Sequence, residues 1–288
     1  MATARLLLEN LITSSIAGAT LSGGDWALPL VNLTDTRIRS NPARCTDIAD
    51  LASSQLRIQF DRPVHLSTIM LCGHTFSLDG LRRVTAGTAG LAEVAAFLDW
   101  TDIYPPIYST AELGPEDPNW LTGRPLNRDL GTYQRHHAIR FPAPIVAEEV
   151  LIEIDDHDNP AGHFNIGYLF ASQDWVPQWT ISYEPELGLR SNSVVDRLQS
   201  GRRLVDYVQP SRYHRIAFDG LTKREVMRLL DVAARSGEGE PVIFVPDFDD
   251  VMDAFRTVFP AVLTNAFSTR LQESNEYRVT MDLEELQG

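Results

Sequence analysis

The chain is short of cysteine, lysine, net positive charge and long apolar runs, and each shortage narrows what it can be. Two cysteines, Cys45 and Cys72, are too few for a disulfide framework. Both sit in apolar or turn contexts, so free thiols are expected, and Cys72 reads as a small core residue rather than a nucleophile. Lysine occurs once, at Lys223. Acids outnumber bases 39 to 25, a formal net charge of −14, which argues against the basic face of a nucleic-acid binder. No stretch approaches the roughly 20 apolar residues of a membrane span. The N-terminal MATARLLLENLITSS lacks the apolar core and cleavage site of a secretory signal, so folding in a cytoplasm is expected. Also missing are a Gly-rich phosphate loop, a G-x-S-x-G elbow, an H-E-x-x-H helix and a cysteine pair with ligand spacing. No catalytic residue and no cofactor are therefore expected. His136 and His137 are neighbours in a strand pattern, so they face opposite ways and cannot share a metal locally.

What is present is an ordinary globular composition, 43% hydrophobic and 22% charged, over 288 residues, a length comfortable for two domains. Val150, Ile152 and Ile154 recur two apart, as do Phe164, Ile166, Tyr168 and Phe170. That period predicts two strands of a hairpin around the corner DDHDNPAGH. Asp155, Asp156 and Asp158 make the corner a weak metal candidate, since carboxylates suit a hard cation. A ligand contact and a plain turn are the alternatives; Asn-Pro-Ala-Gly suits a tight connection. Ser54–Phe60 alternates and meets a turn signal at Asp61-Arg62-Pro63, and 67–72 reads as a second, continuously apolar strand. Residues 91–100 read as a short helix. The passage 104–135 is rich in Pro, Asp, Asn and Gly, and its Tyr108, Trp120 and Tyr133 offer aromatic surface for a partner or a glycan.

Beyond residue 173 the composition changes. Trp175 and Trp179 are expected to pack at an interdomain seam. Arg190, Arg197, Arg202, Arg203, Arg212 and Arg215 crowd one passage and read as a solvated or intersubunit face, where an acidic copy of the chain would meet them. Thr222-Lys223-Arg224-Glu225 is a capping box, and Val226, Leu229, Leu230 and Ala233 follow a helical stripe. Asp247, Asp249 and Asp250 read as helix-capping acids. Residues 241–246 predict a buried strand and 277–283 a final alternating one.

Two resemblances follow from the order of these motifs. Residues 1–173 carry LP-x2-NL-x-D-x-R, then LRIQFDRPV, STIMLCGHTFS and VLIEIDDHDNPAGHFNIGYLFAS. Their order resembles the discoidin-like, galactose-binding-type jelly-roll domains of bacteriophage tail and virion proteins; Ile38 stands where the pattern has Trp. Residues 174–288, with the FDGLTKREVMRLL helix, GEGEPVIFVPD and NEYRVTMDLEEL, resemble the tail-hub domains of phage distal-tail and minor tail proteins. The resemblances imply a mainly β chain: an N-terminal jelly-roll β-sandwich plus a C-terminal tail-hub-like β-barrel with one flanking α-helix. They imply a structural, non-enzymatic subunit of a virion tail, assembled in the bacterial host cytoplasm. It would form a ring homo-oligomer that contacts tail tube, baseplate hub or tail fibre proteins. The alternative is a carbohydrate-binding module for host cell-surface glycan. A glycan hydrolase is the reading with least behind it, since no pair of acids stands out in two distinct environments.

Overall fold

The computed structural model describes residues 4–287 apart from 16, 39, 110, 132–133, 178–184, 198–202, 237–238, 248–249, 251, 265–267 and 272–275. Its first half holds strands β1 (Arg5–Leu7), β2 (Ala19–Ser22), β3 (Trp26–Leu28), β4 (Ala43–Cys45), β5 (Gln55–Cys72), β6 (Leu81–Gly87) and β7 (Val94–Asp102). The short helix α1 (Asn127–Leu130) precedes β8 (His136–Asp155), β9 (Phe164–Ile166) and β10 (Tyr168–Ser172). The second half holds β11 (Asp174–Trp175), β12 (Glu186–Arg190), β13 (Val194–Arg197), β14 (Arg203–Asp206) and β15 (Ser211–Leu221). After helix α2 (Lys223–Ser236) come β16 (Val242–Val245), helix α3 (Ala254–Thr257), β17 (Pro260–Leu263), β18 (Ser268–Leu271) and β19 (Tyr277–Glu285). The chain is mainly β, with antiparallel sheets arranged as a sandwich. No helix among the described residues is long and apolar enough to cross a membrane.

The sandwich pairs a six-stranded sheet, β10-β5-β8-β6-β7 with β2 on β5, against a three-stranded sheet, β3-β4-β9. Alternation builds its core: Leu56, Ile58, Val84, Ile152 and Ile154 from one sheet meet Ala43, Cys45, Phe164 and Ile166 from the other. The second large sheet runs β11-β1-β16-β17-β19-β15-β12 and packs against α2 through Val226, Leu229 and Val232. The capping box is made: Glu225 accepts from the Thr222 N–H at 2.8 Å, and Thr222 Oγ1 accepts from the Glu225 N–H at 3.4 Å. Among the described residues the hydrogen-bonded path of this sheet runs from β11 at one end to β12 at the other.

Four sequence expectations change. Within the helix expected at 91–100, residues 94–100 are strand: β7 is an edge strand on β6, because pairing such as Val84 with Leu98 overrides local preference. Asp61-Arg62-Pro63 does not reverse the chain. It is an exposed irregularity inside one long strand, where a proline lacking an N–H is tolerated. The strands flanking DDHDNPAGH do not form a hairpin; β8 pairs with β5 and β6, whereas β9 pairs with β4. The corner therefore crosses from one sheet to the other. Finally, β1 pairs with β16 and β11, so residues 5–7 lie in the sheet of the C-terminal strands.

That last change has a packing cause. Leu6 faces the core under α2, while Leu7 joins a third cluster with Met70, Cys72, Tyr168, Phe170, Ile243, Val245 and Val258. Ile38 belongs to it as well and is buried. A strand buried on both faces reads as a continuous apolar run, and Leu6, Leu7 and Leu8, all buried, are that run.

Charge also crosses the seam. Arg212 and Glu285 are paired with 1% and 2% of their side chains exposed. Arg212 Nη1 donates to the carbonyls of Phe255 and Arg256 at 3.1 and 3.2 Å, and Nη2 to that of Gln134 at 3.1 Å. His136 Nδ1 accepts from the Gly73 N–H at 3.3 Å, which leaves Nε2 to donate to Glu285 at 3.4 Å. Arg212, expected on a subunit-facing surface, is thus internal, because Glu285 and three backbone carbonyls of this chain converge on its guanidinium. Burial pushes the Glu285 carboxyl up, but the hydrogen bonds from His136 and Arg212 outweigh it and hold the pKa at about 2. A carboxyl held below its ordinary value contributes stability above that value and loses it as pH falls. Stability against urea should therefore drop between about pH 4.5 and pH 2. Glu285→Gln should flatten that drop and cost ~3–5 kcal/mol at pH 7 by stranding Arg212; an unchanged pH profile in the variant would contradict the assignment.

Candidate functional site

The site forms where β5 ends. Gly73 turns the chain with φ +64°, and a Cβ there would lie 2.1 Å from Ile38 Cγ2, so only glycine fits. The Gly73 N–H donates to the Arg135 carbonyl at 2.8 Å. Two residues on, the Thr75 N–H donates to the Asn165 carbonyl at 3.0 Å, and Thr75 Oγ1 accepts from the Asn165 N–H at 2.8 Å. His74 is fixed between these anchors. Its ring stacks on Phe76 at 4.6 Å and tilts against Tyr104 at 5.5 Å.

A pocket of about 250 Å³ opens here, lined by Gly73, His74, Thr75, Leu130, Gly131, Gln134, Arg135 and, from the second half, Gln209. His74 is 2% exposed and Gln134 7%. Among the described residues, no hydrogen-bond partner of ordinary geometry reaches either ring nitrogen of His74 or either amide atom of Gln134. Burial holds the His74 pKa well below its ordinary value, helped by the charge of Arg135, although the nearby His136 backbone pulls the other way; the ring is neutral at pH 7. Arg135 also lines the pocket, with Nη1 on the Phe76 carbonyl at 3.3 Å and the Tyr104 hydroxyl at 3.5 Å. The wall thus offers a neutral imidazole and a carboxamide, groups that both donate and accept, beside one cation.

None of the residues singled out from sequence lines this pocket, and Tyr133, next to Gln134, lies outside the described residues. Tyr108 lies under the Arg256 guanidinium at 5.3 Å, and Trp120 is 37% exposed on the 104–135 passage. Trp175 is buried against Phe218, 6.0 Å between centroids; Trp179 is outside the described residues. Arg190 pairs with Glu284, and Arg215 with Glu186 and Asp282. Arg197 and Arg203 face each other across the β13–β14 pair, and Arg202 is outside the described residues. The three corner carboxylates are divided. Asp156 is buried and accepts from the Ser77 N–H, the Ser77 hydroxyl and Asn159 Nδ2. Asp155 and Asp158 instead hold His157 from either side, at 2.6 and 3.1 Å. Among the described residues no three His, Cys, Asp or Glu side chains are grouped to hold a metal ion.

The fold and site define a mainly β sandwich protein with a small polar pocket at a sandwich end. No family model matches the chain, and no curated protein does. Among solved structures, it is similar to the family 32 carbohydrate-binding module of C. perfringens NanJ in complex with galactose, at 15% identity over 60% of this chain and 100% of that one, TM-score 0.36. It is also similar to a family 32 module from a family 31 glycoside hydrolase of Clostridium perfringens, at 9% identity over 55% of this chain and 95% of that one, TM-score 0.34.

The corner yields a stability prediction. Asp156→Ala strands the donors of Ser77 and Asn159 and should cost ~1–3 kcal/mol in urea unfolding. Asp155→Asn and Asp158→Asn, at partly or largely exposed positions, should change little. Equal effects at all three positions would show that the buried acceptor is not what holds the corner.

Proposed function

We propose that this chain is a non-catalytic binding module whose sandwich-end pocket takes a single sugar ring of a surface glycan. The observation that carries this reading is the pair His74 and Gln134, neutral polar side chains buried in the pocket lining whose polar atoms meet no hydrogen-bond partner of ordinary geometry among the described residues. Sugar hydroxyls donate and accept at once, so they match an amide and a neutral imidazole better than a charged group does. The volume far exceeds the ~10–15 Å³ that one water needs and falls just short of the ~300 Å³ at which drug-sized pockets begin. The described lining contains no Asp or Glu, which favours recognition over acid–base hydrolysis.

A second reading, a ring-forming structural subunit of a phage-like virion tail, draws on a different surface. Leu187 and Leu189 are exposed on the edge strand β12, as are Leu204 on β14 and Tyr207 just after it. Arg197 and Arg203 lie directly opposite one another, an arrangement of like charges that an acidic surface of a second copy would relieve. In this reading the sandwich projects from the ring toward fibre proteins or the host surface.

The two readings make separate predictions. On a glycan array the full chain should bind saturably, and Gln134→Ala should weaken binding about tenfold at unchanged melting temperature, the worth of one lost hydrogen bond. A chain that binds no glycan refutes the first reading. Native mass measurement of the full chain should give a closed oligomer, which Leu204→Glu with Tyr207→Glu should dissociate; a monomer at micromolar concentration refutes the second.

A further inference from the structure

A second cavity, of about 260 Å³, lies in the seam between the two halves. Its walls are mostly apolar: Met70 and Tyr104 come from the first half, Phe255 and Val258 from the second. Tyr104 and Phe255 meet edge to face, 6.4 Å between centroids. Into this lining β6 sends Arg82 and β8 sends Arg140. Arg82 alternates with Val84 and Ala86, so it shares their inward face, and it is only 8% exposed.

The protein meets part of the needs of Arg82. Its Nε donates to His137 Nε2 at 3.2 Å. Burial first, and then the charge of Arg82, push the His137 pKa down to about 3, so the imidazole is a neutral acceptor. Nη1 is buried without a hydrogen-bond partner. The carboxylate that also lines the cavity, Asp102, is paired with Arg124. Burial lowers the Arg82 pKa to about 10, which leaves it charged at neutral pH. A desolvated guanidinium with an idle donor in an apolar cavity is half of an ion pair.

We infer that the seam cavity binds a small monocarboxylate with an apolar body, its carboxylate on Arg82 and its body against Tyr104 and Phe255. The match is one of polarity pattern: the guanidinium groups of Arg82 and Arg140 on a mostly apolar lining select an amphiphilic anion over a sugar or a free inorganic ion. Because the walls belong to both halves, the ligand binds only when they are docked, and so raises the unfolding temperature. This inference is independent of the glycan reading, which concerns a different pocket.

Benzoate is the probe, with benzyl alcohol as the uncharged body and acetate as the charge without the body, each titrated into the full chain by calorimetry and thermal melting. Benzoate should bind saturably and raise the melting temperature, with both controls at least tenfold weaker. Arg82→Met should abolish the preference for benzoate over benzyl alcohol. Ala254→Leu narrows the cavity from the opposite wall while leaving Arg82 in place, and should weaken benzoate at least tenfold; it also serves if Arg82→Met does not fold. The inference is overturned if benzoate does not saturate, if benzyl alcohol binds as tightly, or if Ala254→Leu binds benzoate undiminished.

Discussion

The structure depends on a layer of strands that must be covered on both faces. In β5 and β10, Ile69, Leu71, Leu169 and Ala171 point into the sandwich core, while Met70, Cys72, Tyr168 and Phe170 point the other way. In β1 and β16, Leu7, Ile243 and Val245 meet that second set, while Leu6, Val242 and Phe244 point on toward α2. Three apolar clusters are thereby stacked through two sheets. Exposing the middle one would put aromatic and aliphatic side chains of both sheets into water, at ~25 cal/mol for each Å². The two halves are consequently not independent, and β1, the first described strand, is the piece that ties the chain's beginning to its end.

The charged link at Arg212 works inside that constraint. An ion pair so deeply buried gains little over an apolar contact of the same volume, but it admits few alternative arrangements, because every donor needs its acceptor. Arg212 bonds the carbonyl of Gln134, and His136 bonds both Glu285 and the Gly73 amide. The polar pocket is walled by Gly73, His74 and Gln134, so the seam positions the site. The seam cavity shares the same framework, since His136 and His137, on opposite faces of β8, both line it.

Much of the sandwich was legible because period-two alternation survives wherever one face is buried and the other wet, as from Leu56 to Phe60 and Val150 to Ile154. The capping box of α2 was legible because its chemistry is local to four residues. The helix expected at 91–100 failed because an edge strand gets its identity from its neighbour β6, which the local sequence does not contain. The pocket was nearly invisible. Gly73-His74 after an apolar strand was the one signal, and Gln134 gave none, since its partnerless burial depends on strands far away in sequence. The aromatic residues of 104–135 attracted attention for their type, yet the described ones lie outside the pocket.

The sequence by itself determined the mainly β composition, the alternating strands of the sandwich and the amphipathic helix α2. Those are encoded within windows of a few residues, where side-chain periodicity and capping operate. Only the tertiary structure decided that β1 joins the C-terminal strands, that DDHDNPAGH is a crossover rather than a hairpin turn, and that Arg212 is internal. Each of those outcomes turns on which surface covers another. A continuous apolar run states that both faces of a strand must be buried, but not by what, and a lone arginine states a charge, but not the carboxylate it will meet 73 residues away.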